Sequence, residues 1–327
     1  MAGAAGLVLP AALLSFTAAC ASAQHPVRRS AEEPPDEREI EARARFAEPG
    51  CKPPLSAFFP GLGQMTCGRP AEGKGLAVLG AAELGTGIAM GAARGFSSAA
   101  AQLPLLAYAD LLTASTMDVV LDAQRAEGLR FVPQETLPEL LRAPFQPRVL
   151  ARPAVWGGVA GALAASLLLS RLVDGPLDTR NLGTEPVLFG TQLHDAVGYP
   201  IAGAIGAALF AHVAVAEETA FRGVLQSGWA RATDETRGWA YSSLAFGLLH
   251  AGNLPFIDAH DRVKYLYAAV PFITVLGSYL GWTYRDAGYE LSTPVAIHFW
   301  YDFLVEAVDF LADPKNSPLS MRLGFAF

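Results

Sequence analysis

Seven apolar stretches, near residues 75–93, 99–121, 154–172, 198–220, 239–252, 265–284 and 292–311, dominate the sequence. A helix needs about 20 such residues to cross the hydrocarbon of a bilayer, and a backbone crossing lipid must satisfy its own hydrogen bonds. The expectation is an all-α, polytopic transmembrane helix bundle of about seven spans following an N-terminal signal-like segment. The 239–252 stretch is short, which leaves it tilted, re-entrant or packed among its neighbours. Composition agrees: 52% of the 327 residues are hydrophobic and only 17% are charged, against about 25% in soluble domains. A net charge of −7 supplies no basic stripe for nucleic acid, and three cysteines are too few for a disulfide scaffold.

Organisation follows from the breaks between these stretches. Residues 1–23 are short and apolar and end in Ala21-Ser22-Ala23, which reads as a signal peptide; an uncleaved anchor is the rival, because Arg28 and Arg29 follow directly. Residues 24–54 read as a flexible, solvated linker. A hairpin module of two spans then covers 55–122. It opens with Pro60-Gly61-Leu62-Gly63-Gln64, a tight-turn sequence that resembles the Pro-Gly-x-Gly-Gln motif of small two-span membrane modules and implies structure rather than chemistry. Cys51 and Cys67 flank this turn and would pair if exported. Residues 123–152 form an amphipathic, Pro-punctuated connector, 153–312 a second bundle, and 313–327 a tail. Arginines in the connector and at 222, 231 and 237 place both segments in the cytoplasm by the positive-inside rule, whereas seven spans after a cleaved signal place them outside. Small-xxx-small pairs at Gly87/Gly91, Gly157/Gly161 and Gly277/Gly281 are read as helix-packing surfaces.

Ionisable groups inside apolar spans are costly and call for a reason. Glu217 and Glu218 are adjacent, so they point about 100° apart on a helix; Glu218 and Arg222 share one face in the favourable i, i+4 order. Phe246 precedes His250 by one turn, and His298 precedes Asp302 by one turn in the last span. Each cluster alone has an ordinary explanation: a surface ion pair, an interhelical donor, or an Asp that fixes a His tautomer. His212, also in a span, is read as a packing or capping donor; His25, His194 and His260 fall in exposed segments.

Taken together, Glu217-Glu218-xxx-Arg222, Phe246-xxx-His250 and His298-xxx-Asp302 resemble the CPBP (CAAX-processing and bacteriocin-processing, Abi) family of glutamic-type intramembrane proteases, over roughly residues 150–312. The resemblance implies endopeptidase cleavage of a membrane-anchored protein or propeptide at the lipid bilayer of a multi-pass protein, in the bacterial inner membrane. It makes Glu217 the base that activates water, His250 its partner on that water, and His298 the oxyanion donor, with Asp302 beside it. Glu218, Arg222 and Phe246 are supporting residues. No metal or other cofactor is expected. Zinc held by the same Glu, His and His is the nearest alternative, although the His-Glu-x-x-His helix is absent. A proton-coupled transporter or a silent scaffold is the alternative of another class.

Overall fold

The computed structural model describes residues 37–48 and 50–316. The signal-like segment, His25 and most of the C-terminal tail lie outside the described residues. Apolar runs that cannot expose backbone to lipid become long helices. We label these α1 (Glu37–Phe46), α2 (Pro70–Arg94), α3 (Ala99–Ala126), α4 (Pro153–Val173), α5 (Asp195–Glu218), α6 (Glu235–His250), α7 (Val270–Asp286) and α8 (Ser292–Ala312). The described strands are a two-residue pair, Val187–Leu188 against Thr191–Gln192, which closes the loop between α4 and α5.

The chain is an all-α polytopic bundle. Five helical stretches are long and apolar enough to cross a membrane: Pro70–Arg94, Ala99–Ala126, Pro153–Val173, Asp195–Ala232 and Arg262–Asp286. The other two expected spans form helices as well. At 16 residues, α6 is short, but Leu244 and Leu248 face outward while Phe246 and Gly247 turn in towards α7. In α8 the apolar character is diluted by His298, Asp302, Glu306 and Asp309. Large apolar residues exposed on the outer wall, among them Val78, Ile88, Leu168, Leu172 and Val275, are what a lipid-facing surface requires.

Glycines set several of the closest approaches. A Cβ on Gly277 would lie 2.7 Å from the Phe246 ring, and one on Gly87 would lie 2.6 Å from Leu105. Gly157 and Gly161 depart from the expectation. Both are exposed with open space beside them, and it is Gly158 that packs against the ring of Tyr279. The spacing identified a small-residue stripe but not the side of α4 that meets a neighbour.

The 24–54 segment also differs from an open linker, because α1 lies within it. Glu39 pairs with Arg43 and Glu41 with Arg45 at i, i+4, supporting the helix locally. Arg45 then reaches Asp122 of α3 at 3.2 Å, and Arg38 reaches Glu139 of the connector at 2.9 Å. Charges that read as a solvated tract are used in pairing and docking. The turn at Pro60–Gln64 has a similarly explicit role. Gly61 takes a φ of 84°, and its N–H donates to Ser115 Oγ at 2.9 Å; the Gln64 amide donates to the Ser115 carbonyl and to Asp118. Cys51 and Cys67 form a disulfide beside this turn.

Candidate active site

Three helices deliver the site. α5 does not stop at Glu218: it widens into a π-helical stretch, Thr219–Gln226, before the short helix Ser227–Ala232. Such widened turns recur at functional sites, where they rotate side chains out of the regular helical register. Ser227 Oγ donates to the Arg222 carbonyl within this stretch. Arg222 is therefore not a loop charge, as its place after an apolar run implied. It is buried within the bundle, and Arg231 is largely buried too, donating to the Arg130 carbonyl and to Gln124.

Glu218 lies at the buried centre of the site. Its Oε1 accepts from Arg222 Nη1 at 2.9 Å and from His298 Nδ1 at 2.8 Å. The first contact is the pair expected from the i, i+4 spacing. The second joins residues 80 positions apart in sequence, and nothing local in the sequence signals it. Arg222 also donates to the Gly277 carbonyl at 2.9 Å, and its guanidinium stacks 4.3 Å from the centre of the Phe246 ring. Phe246 sits edge-on to Phe221 with centroids 4.9 Å apart. Glu218, Arg222 and Phe246 thus form a packed support linking α5, α6 and α7.

Glu217, His250 and His298 converge in front of that support. Glu217 Oε2 lies 4.0 Å from His250 Nε2 and 3.8 Å from His298 Nε2. His250 Nδ1 is 2.7 Å from the Phe246 carbonyl. A carbonyl only accepts, so this nitrogen carries the proton and Nε2 is left facing Glu217. Asp302 Oδ2 lies 3.2 Å from His298 Nε2, across one helical turn. Glu217 and His250 keep about a fifth of their side-chain surface exposed, whereas Glu218 and Arg222 have almost none. Glu217 and His250 therefore lie at a shallower depth than Glu218 and Arg222.

The sequence reading missed the surroundings. Tyr265 Oη donates to the His250 carbonyl at 3.1 Å and receives the Asn253 amide at 3.3 Å, tying the α6 end to the segment before α7. Gln226 donates to the Gly281 carbonyl in the same way that Arg222 does to Gly277. The Gly277/Gly281 pair, read as a packing surface, also presents carbonyls to polar side chains from the π-helical stretch. His212 contacts Glu83 of α2 at 3.1 Å. His194 caps α5 by accepting from Ala196 N–H, and His260 pairs with Asp261 on an exposed loop.

Residues 200–304 match the model of a family described as type II CAAX prenyl endopeptidase Rce1-like. Neither the curated proteins nor the solved structures contain a match. The matched segment holds every residue of the site just described and leaves the N-terminal hairpin outside it. Over this segment the chain is similar to the CAAX-processing (CPBP) intramembrane endopeptidases that the family model describes.

Proposed function

We propose that this site hydrolyses a peptide bond of a membrane-anchored protein or propeptide by glutamate-activated water. The observation that carries the reading is the convergence of Glu217 with two imidazoles at 3.8 and 4.0 Å. These gaps exceed a direct hydrogen bond. A single water about 2.8 Å from the Glu217 oxygen and the His250 nitrogen spans such a gap with an angle of about 90° at its oxygen. Glu217 Oε2 has no hydrogen-bond partner among the described residues, and its side chain keeps about a fifth of its surface exposed, so it is available to take a proton from that water.

In the reaction, the water oxygen bonds to the scissile carbonyl carbon while Glu217 accepts one of its protons. The developing oxyanion needs a fixed donor. His298 supplies it: a ring protonated on both nitrogens donates through Nδ1 to Glu218 and through Nε2 towards the oxyanion. Asp302 orients that nitrogen. Collapse of the intermediate breaks the C–N bond, and Glu217 returns its proton to the leaving amine. Both protons of the water are accounted for, one on the amine and one on the new acid.

Three ligands of one tetrahedral zinc stand about 3.3 Å apart at bond lengths near 2.0–2.1 Å, closer than the two gaps here. Metal-free water activation therefore fits this geometry better. A proton-coupled transporter or silent scaffold does not require a carboxylate and two imidazoles to share one hollow. The family description directs the first substrate test to C-terminal Cys-a-a-X tails carrying a prenyl group, with the protein placed in a bacterial inner membrane. In the deciding experiment, Glu217→Gln is expected to retain protein level and assembly while abolishing cleavage of a membrane-anchored reporter. Unchanged cleavage would overturn the assignment.

A further inference from the structure

A second polar group lies behind Glu217, and the hydrolytic site does not use it. His212 sits on α5, five residues before Glu217. Its Nδ1 is 2.7 Å from the Ala208 carbonyl, which fixes the proton on that nitrogen and turns Nε2 to Glu83 Oε1 at 3.1 Å. Glu83 belongs to α2, in the N-terminal hairpin. Asp110, on α3 of the same hairpin, has a buried Oδ2 with no hydrogen-bond partner among the described residues. Glu217, His212, Glu83 and His298 are among the ionisable groups whose charge acts on Asp110. α3 packs along α5, with Leu111 and Ala114 in the same buried cluster as Ala214 and Val215. Ionisable groups at this depth are costly on each of three helices, and the hairpin carries two of them to α5, the helix that holds the proposed base.

We propose that the N-terminal hairpin is a working part of the catalytic compartment, with Glu83, Asp110 and His212 as positioning residues for Glu217. The proposal rests on Glu217 being the base. Glu217 changes charge during each turnover, and the unpartnered Asp110 oxygen lies within the field of that change. The Glu83–His212 contact ties the hairpin to the helix that carries the base, so the position of Asp110 relative to Glu217 is held by packing from both sides.

The test is a double-mutant cycle on the full chain in lipid nanodiscs, read by melting temperature. Asp110→Asn is measured alone and in a Glu217→Gln background, and Glu83→Gln alone and with His212→Gln. The expected result is non-additivity in both cycles, with the effect of Asp110→Asn differing between backgrounds by about 2 °C or more. Asp110→Glu keeps the carboxyl group and is expected to keep the coupling, which provides a second variant should Asp110→Asn not assemble. With a farnesylated Cys-a-a-X reporter peptide, Asp110→Asn and Glu83→Gln are expected to lower kcat about tenfold with KM unchanged and to displace the pH–rate profile. A merely structural role would leave that profile in place. Additivity in the melting cycles overturns the proposal whatever the activity. Failure of the wild type to cleave the reporter counts instead against the prenyl-tail substrate, and the melting cycles still decide this inference.

Discussion

Glu218 shows how much a single side chain can carry when it is fully buried. One of its oxygens receives both Arg222 and His298, so the pair expected from helical spacing also anchors His298, the proposed oxyanion donor. Removing one partner of a buried pair leaves the other charge uncompensated, at a cost of roughly 3–5 kcal/mol. Arg222→Ala is therefore expected to lower the melting temperature sharply and to abolish activity, and Glu218→Gln to reduce both. His298→Ala should leave folding less affected while lowering kcat by about 10²–10³-fold, the usual loss for an oxyanion donor. Asp302 is a milder case. Its Oδ2 lies 3.2 Å from His298 Nε2, and an Asn oxygen in its place would keep that contact. Asp302→Asn is expected to retain activity within about tenfold, whereas Asp302→Ala falls further; steady-state cleavage rates distinguish the two. The sequence showed which residues are anomalous and which lie one turn apart. It could not show the 80-residue contact between Glu218 and His298, because helix order constrains which elements exist and not which faces meet.

Among the elements, the helices were legible because a run of about 20 apolar residues has one solution in lipid. Their packing faces were only partly so. Gly277 and Gly157 both belong to small-xxx-small pairs, yet one is wedged against Phe246 and the other faces open space. Gly277→Ala is expected to cost about 1–3 kcal/mol through overpacking and to disturb Arg222, whereas Gly157→Ala should leave the melting temperature nearly unchanged. The α1 helix was missed for a different reason: its stability comes from ion pairs, which composition reads as solvation. Its docking has a pH signature. Glu139 sits in the connector, and hydrogen bonds from Arg38, reinforced by Thr136, hold its carboxyl down at about 2. A carboxylate depressed in the folded state stabilises fully above its ordinary value near 4.5. That contribution fades as the pH falls through this window and is gone below about 2. The melting difference between wild type and Arg38→Ala is expected to be constant above pH 5 and to shrink as the pH is lowered from 4.5 towards 2. Because the pair is about one-third exposed, the effect should be small and should weaken with salt.

At the scale of the whole molecule, two sequence signals for orientation conflict, and the packing shows what separates them. The 51–69 segment, with its disulfide, packs against the 115–122 end of α3 through Ser56, Gln64, Ser115 and Asp118. The Arg-rich connector leaves from that same end. Many of the arginines behind the cytoplasmic reading are paired there: Arg125 with Asp122, Arg152 with Glu290 and, deeper in, Arg222 with Glu218. Burial of Arg222 and Arg231 within the bundle removes them from a count of loop charges, whereas a disulfide persists in an oxidising compartment. The connector end is accordingly expected to face outward, with His298 about 9 Å inward from Ser292 at the helical rise of 1.5 Å per residue. Single cysteines placed at exposed connector positions, such as Arg148→Cys in a background lacking Cys20, Cys51 and Cys67, will test this. Labelling of intact cells by a membrane-impermeant maleimide supports the outward orientation. Labelling only after the membrane is opened would place the connector, and with it the Cys51–Cys67 pair, on the reducing side.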